Sequence, residues 1–188
     1  MPPKSKITKD IILDAAISIV REKGENAVNS RSIASVLNCS TQPLFSHFDS
    51  MEELKEAVSL KAARIFADYI LNFTKNDKYP KYKASGIGYI MFAKEEPELF
   101  KMLFYKNNGA HILEQNKSFE NEILGLVKNS TGFSDEVSKR FHLNMWLFVH
   151  GIASTVSSSY IKLDNDIIDK TVTEAFKAFS MLYGGKNK

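Results

Sequence analysis

Apolar positions in the first third of the chain come in short bursts with helical spacing. Ile11, Ile12, Ala15, Ala16, Ile19 and Val20 recur at i, i+1, i+4 and i+5, one face of a helix from about Lys9 to Lys23. Thr8 suits its N-cap, Ile7 with Ile12 fits a hydrophobic staple, and Gly24 suits its end. Ser30 is expected to cap a second helix over Arg31 to Leu37, with Ile33, Ala34 and Leu37 facing inward. Asn38 follows, a residue that tolerates the left-handed conformation of a tight turn. Ser40 or Thr41 then caps a third short helix to about Phe48. Pro43 falls in its first turn, where a missing N–H costs little.

Ser50-Met51-Glu52-Glu53 has the form of a capping box. The fourth helix that it opens carries Leu54, Val58, Ile65, Phe66, Tyr69, Ile70 and Phe73 to about Thr74. A loop at Asn76-Asp77-Lys78-Tyr79-Pro80 ends the run. Further helices are expected at about 81–94, 97–106, 118–130, 135–160 and 165–183. Their breaks fall at Pro97, Asn107-Asn108-Gly109, Thr131-Gly132 and Leu163-Asp164-Asn165. No strand, internal repeat or low-complexity tract stands out. The pattern predicts an all-α chain of nine helices.

Composition narrows the class. The chain has 188 residues, 44% hydrophobic and 25% charged, enough for one or two domains with a real core. This excludes disordered, collagen-like and disulfide-stapled miniature chains. Gly (9) and Pro (5) are scarce, which agrees with long helices. The single cysteine, Cys39, cannot form an internal disulfide. Met1-Pro2-Pro3-Lys4-Ser5-Lys6 does not read as a signal peptide, and no apolar run approaches the ~20 residues of a membrane span. The expected compartment is the cytoplasm, with no membrane partner. Net charge is +3, but residues 1–60 hold 7 basic and 8 acidic side chains. A nucleic-acid role would therefore rest on local placement, for instance at Lys4, Lys6 and Lys9.

Three helices in the first 50 residues, with a short turn between the second and third, have the layout of a helix-turn-helix. The turn sets two helices at a steep angle, so that the third enters a major groove while the second lies across the backbone. Other chemistry is not indicated. HExxH, GxSxG, the P-loop and a GxGxxG after a strand do not occur. His142 and His150 are eight apart, not a chelating i, i+4 pair, and adjacent Glu95 and Glu96 point different ways on a helix. No catalytic residue, metal or cofactor is expected.

Several residues now become specific. Ile11-Ile12-x-x-Ala15-Ala16, Gly24, Arg31-Ser32-Ile33-Ala34, Leu44-Phe45-Ser46-His47-Phe48 and Glu53-Leu54 together resemble the N-terminal domain of TetR-family transcriptional regulators over about residues 7–58. Trp146-Leu147-Phe148-Val149-His150-Gly151 and Phe92-Ala93-Lys94-Glu95-Glu96-Pro97-Glu98-Leu99-Phe100 resemble one C-terminal class of that family, named WHG after its Trp and His-Gly. The resemblance implies a DNA-binding domain over 1–50 and a helical effector-binding and dimerisation domain over 51–188. It further implies a homodimer, a palindromic double-stranded operator and a small, largely apolar effector. A repressor is the commonest outcome in the family. The competing readings are a regulator controlled by a protein partner, and an all-α enzyme that merely carries a three-helix module.

The DNA-facing residues follow from the same resemblance. Thr41 and Gln42 begin the recognition helix, where side chains reach base edges, and Gln pairs bidentately with adenine. Simple capping and a solvated surface is their plain alternative. Pro43 and Leu44 are candidates for a thymine methyl, though Leu44 equally suits the core. Ser30, Arg31, Ser46 and His47 are candidates for phosphates, with a packing role as the alternative for His47. Lys4, Lys6 and Lys9 would follow the backbone or the minor groove, with a disordered, solvated tail as the alternative. Phe45 stands where the family usually has Tyr, and Met51 where it often has Lys, so two backbone contacts should be missing. Asn38-Cys39 replaces a common Gly-Val, and Pro43 a small residue. Cys39 is expected to be a small buried hydrophobe rather than a redox sensor.

For the effector, Phe66, Tyr69, Phe92, Met102, Leu103, Trp146 and His150 are candidates to line a cavity, joined by Phe73, Tyr89 and Phe104. Such residues at helical spacing also make ordinary core. Two apolar sets are candidates for the dimer seam: Trp146, Val149, Ile152, Ala153 and Val156, then Ile168, Val172, Ala175, Phe176 and Phe179. Gly151, Ala153, Ser154 and Ser157 would permit close approach, with an intramolecular core as the alternative and room for both roles on different faces.

Overall fold

Thr8 opens the first helix as its spacing predicts. In this computed structural model, which describes residues 7–105 and 117–184, helix α1 runs Lys9–Lys23 and the Thr8 hydroxyl accepts the Ile11 N–H at 3.3 Å. Gly24 closes it at φ 75°, donating its N–H to Val20 at 2.8 Å. A Cβ at Gly24 would stand 2.9 Å from the Glu98 carboxylate, which can swing aside, so it is the positive φ that favours glycine here. Ile12, Ala16 and Val20 are buried as expected, but so are Leu13 and Ile17, while Ile11 is exposed. Helix α1 is covered over a broader arc than the sequence stripe suggested.

Helix α2 (Ser30–Val36) corrects the expected cap. Asn29, not Ser30, is its N-cap: the Asn29 side-chain oxygen accepts the N–H groups of Arg31 and Ser32 at 3.1 and 3.0 Å. Ser32 returns the bond by accepting the Asn29 N–H at 3.0 Å. The turn that follows is set by Asn38 at φ 49°. Cys39 N–H bonds Ala34 and Asn38 N–H bonds Ser35, the paired closure of a Schellman end. Helix α3 is only Gln42–Phe45, shorter than the expected run to Phe48, with Pro43 in its first turn and no side-chain cap bond from Thr41.

Helix α4 (Met51–Phe73) begins at the predicted box. Ser50 accepts the Glu53 N–H at 3.1 Å, but the Glu53 carboxylate takes the Asp49 N–H, at 2.7 Å, in place of that of Ser50. Then come α5 (Lys81–Glu95), α6 (Pro97–Phe104), α7 (Lys117–Thr131), α8 (Asp135–Ser157) and α9 (Asn165–Gly184). Helix α8 stops three residues short of the expected end, where Ser159 turns left-handed at φ 56°. The described residues thus form nine α-helices and a single 3-10 turn, Glu25–Ala27, with no strand. Lys4, Lys6 and the expected break at Asn107-Asn108-Gly109 lie outside the described residues.

The described chain gathers into two compact units. One holds the residues up to Ile65 together with Glu98–Tyr105; the other holds Phe66–Pro97 with Lys117–Gly184. Helix α4 supplies residues to both. The core of the first is built on Ile12, Ile33, Leu44, Phe48, Leu54 and Leu99. That of the second is built on Phe66, Ile70, Ile90, Phe92 and Phe141, with α5 packed on α8 and α8 on α9. No helix of the described residues is long and apolar enough to cross a membrane.

Candidate nucleic-acid interface

The helix-turn-helix is held from beneath by two residues. Leu44 and Phe48 are buried, and they face away from Gln42, Phe45 and Ser46, which are exposed. Leu44 is therefore core and not a candidate for a base. Phe45 stands 49% exposed on the same side as Gln42, three residues earlier. Thr41 and Pro43 are partly exposed, and Arg31 is exposed at the start of α2.

Two of the candidate phosphate ligands already have partners. The Ser46 hydroxyl donates to the Pro43 carbonyl at 2.7 Å. His47 Nε2 lies 2.9 Å from the carbonyl oxygen of Ile7. Ser30 occupies the first turn of α2, its N–H among those pointing out of the helix start. Cys39 is half-buried, not the fully buried hydrophobe expected.

The candidate effector residues divide. Met102 and Leu103 are buried in the first unit. The other five lie in the second and are joined by ring contacts. Phe66 meets Phe92 edge-on at 5.2 Å, and Tyr69 meets Phe92 at 5.4 Å. Tyr89 links Phe66, at 5.2 Å, to His150, at 6.0 Å, and His150 stacks on Trp146 at 5.1 Å. The Tyr69 hydroxyl donates to Glu95 at 2.7 Å, and burial with that bond pushes its pKa up.

The spacing of His142 and His150, set aside as a metal pair, has another meaning. Each imidazole meets a tyrosine of α5: the Tyr82 hydroxyl stands 3.0 Å from His142 Nδ1, and the Tyr89 hydroxyl 2.8 Å from His150 Nδ1. His150 Nε2 further reaches the Ser154 hydroxyl at 3.3 Å. Burial lowers both histidines, His142 to about 4, because a charged ring would lose its water. Burial raises both phenols, that of Tyr89 partly offset by a hydrogen bond from Trp146. Tyr82 and Tyr89 are seven apart and the histidines eight, so both pairs lie between the same two helix faces, but no local feature of the sequence marks the pairing. Among the described residues, no cluster of three His, Cys, Asp or Glu side chains gathers to hold a metal ion.

Solved structures share the backbone fold. A TetR-family transcription regulator from Marinobacter aquaeolei aligns with TM-score 0.64 and 17% identity over 90% of this chain and 94% of its own. The fatty acid degradation regulator FadR from Bacillus halodurans aligns with TM-score 0.63 and 16% identity over 100% and 98%. This is the TetR-family fold. A Rhodococcus protein of unknown function aligns with TM-score 0.73 and 18% identity over 96% and 97%. No family model and no curated protein matches the sequence. At these identities the likeness is one of backbone fold alone.

Proposed function

We propose that the chain is a transcriptional regulator that binds a palindromic operator as a homodimer and releases it when a small, largely apolar effector binds. The observation that carries this reading is the two-sided recognition segment: Leu44 and Phe48 buried beneath, Gln42 and Phe45 exposed above. Gln42 suits the N6 and N7 edge of adenine, and Phe45 with Pro43 suits the neighbouring thymine methyl. Thr41 is the remaining candidate at a base edge. Ser30, Arg31 and Ser46 suit phosphates, Ser46 after its hydroxyl rotates.

Dimerisation is assigned to other residues than the buried sets read from the sequence. Val149, Ala153, Ile168, Val172 and Ala175 are core. Leu143 and Leu147 on α8 are each 54% exposed and share one face with exposed Gly151, beside which a Cβ would meet nothing within 4 Å. On α9, Ile167, Ala178, Met181 and Leu182 form a second exposed face. Two copies that meet through these faces would bury both. The effector site is assigned to Phe66, Tyr69, Phe92, Trp146 and His150 around Tyr89.

The mechanism is linkage. Two recognition helices must sit about one DNA turn apart, roughly 34 Å, to read both half-sites. An effector that prefers another spacing weakens DNA binding, and DNA weakens the effector by the same factor. Repression follows where the operator overlaps a promoter. A second reading, control by a protein partner, is favoured by one observation: Tyr89 and His150 already satisfy each other. Fragments of the source genome selected by the purified protein test the first reading. An enriched palindrome supports it; no enrichment even at low salt, where phosphate contacts are strongest, overturns it.

A further inference from the structure

The recognition segment is defined by the charges it lacks. No Lys or Arg occurs between Arg31 and Lys55, a stretch that holds all of α3 and the turns on both sides of it, while Asp49, Glu52 and Glu53 fall within it. Guanine is the base that Arg or Lys reads across O6 and N7. The α3 face brings neither cation to a base edge.

What the face does bring is one amide followed by carbon. Gln42 and Phe45 are exposed and Pro43 is partly so, while Leu44 and Phe48 are buried beneath. Phe45 keeps 49% of its surface open. Neither the phenyl ring of Phe45 nor the pyrrolidine ring of Pro43 has a hydrogen to donate. The Ser46 hydroxyl, next along the chain, donates back to the Pro43 carbonyl at 2.7 Å. Beyond Gln42 toward the C-terminus, the surface therefore selects for an apolar group. The major groove offers one, the methyl on C5 of a pyrimidine. Thymine carries it and so does 5-methylcytosine; cytosine and uracil have hydrogen there. Residues three apart are neighbours on a helix, so Gln42 and Phe45 reach adjacent bases.

We propose that α3 reads a methyl group rather than a base pair at this position: Phe45, with Pro43, takes the C5 methyl beside the adenine held by Gln42, on thymine and on 5-methylcytosine alike. This rests on the DNA-binding reading above and deepens it. An apolar contact at C5 is indifferent to whether the pyrimidine pairs with adenine or guanine. DNA methylated at cytosine is then a second ligand for the same face, and cytosine methylation changes which sites the protein occupies.

The test uses the full chain and synthetic duplexes of the operator recovered by selection. Each thymine is replaced in turn by deoxyuridine, which removes one methyl and leaves every hydrogen bond of the pair. At one position per half-site uracil is expected to weaken binding about fourfold, as for one buried methyl, and roughly fifteenfold when both half-sites are changed. With cytosine at that position, its methylation is expected to recover the same factor. Phe45→Ala is expected to bind the thymine and uracil operators equally, which couples the ring to the methyl. The variant leaves Leu44 and Phe48 in place, and the wild-type series needs no variant. Indifference to uracil at every position overturns the proposal while the DNA-binding reading stands. So does an equal uracil penalty in Phe45→Ala, or cytosine and 5-methylcytosine bound alike. Wild-type protein that enriches no DNA sequence overturns both.

Discussion

The two units share local side-chain caps but differ in the bonds that reach furthest. In the helix-turn-helix most side-chain bonds run to nearby backbone: Asn29 to Arg31 and Ser32, Ser46 to Pro43, Ser50 to Glu53. The second unit has such local bonds too, but adds buried pairs of side chains 60 and 61 residues apart, Tyr82 with His142 and Tyr89 with His150. Local bonds fix the backbone and leave the outer face free to meet a ligand. Distant buried pairs fix how α5 meets α8 and leave few donors over. The first unit thus presents its chemistry at the surface, while the second keeps its chemistry within an aromatic core and exposes leucines.

That contrast can be broken most severely at the exposed leucines. Leu143→Glu/Leu147→Glu should leave the monomer folded and abolish the proposed dimer. Burial of one Leu is worth about 1.5–3 kcal/mol, and a two-fold interface counts each twice. Sedimentation should show a dissociation constant raised at least about a thousandfold; an unchanged dimer would move the seam elsewhere.

The buried pairs predict a pH dependence in the second unit. His142 titrates near 4 in the fold against 6.5 in the open chain. Between those values the unfolded chain binds a proton that the native chain does not, so stability falls as pH falls. The decline starts below about pH 6.5 and reaches about 3 kcal/mol near pH 4. Denaturant titrations at pH 7, 5.5 and 4.5 should show this, and His142→Asn should shrink it. Equal declines in wild type and variant would remove His142 from the account.

At the surface of the first unit, effects are smaller and selective. Gln42→Ala should relax preference at one base pair by about 1–3 kcal/mol, with little change in thermal stability. A uniform weakening over all sequences would place Gln42 on a phosphate instead. The smallest effect separates two neighbours. Asn29→Ala should cost about 1 kcal/mol through its cap, and Ser30→Ala within about 0.5 kcal/mol. Equal melting temperatures would contradict the assigned cap.

What the sequence disclosed follows the same division. Thr8, Gly24, Asn38 and the Ser50 box were legible because caps and turns act over two to four residues. Asn29 was missed because Ser30 beside it is an equally good cap by type, and only the backbone angles choose between them. The Tyr–His pairs were not legible: nothing local marks Tyr82 as the partner of His142. The choice between core face and exposed face was open in the sequence for a related reason. Helical spacing finds apolar stripes on α8 and α9 but does not say which stripe faces the core, and Val149 and Leu147 differ only in what the rest of the chain brings against them.

The central claim is that the exposed face of α3 reads DNA in pairs. Its most direct test is titration of the purified protein against the selected operator at two salt concentrations, with the stoichiometry read from the mass of the complex. The account predicts two chains per palindrome, half-sites about 10 base pairs apart centre to centre, and affinity that falls steeply with salt. One chain per site, or affinity indifferent to salt and sequence, would contradict it.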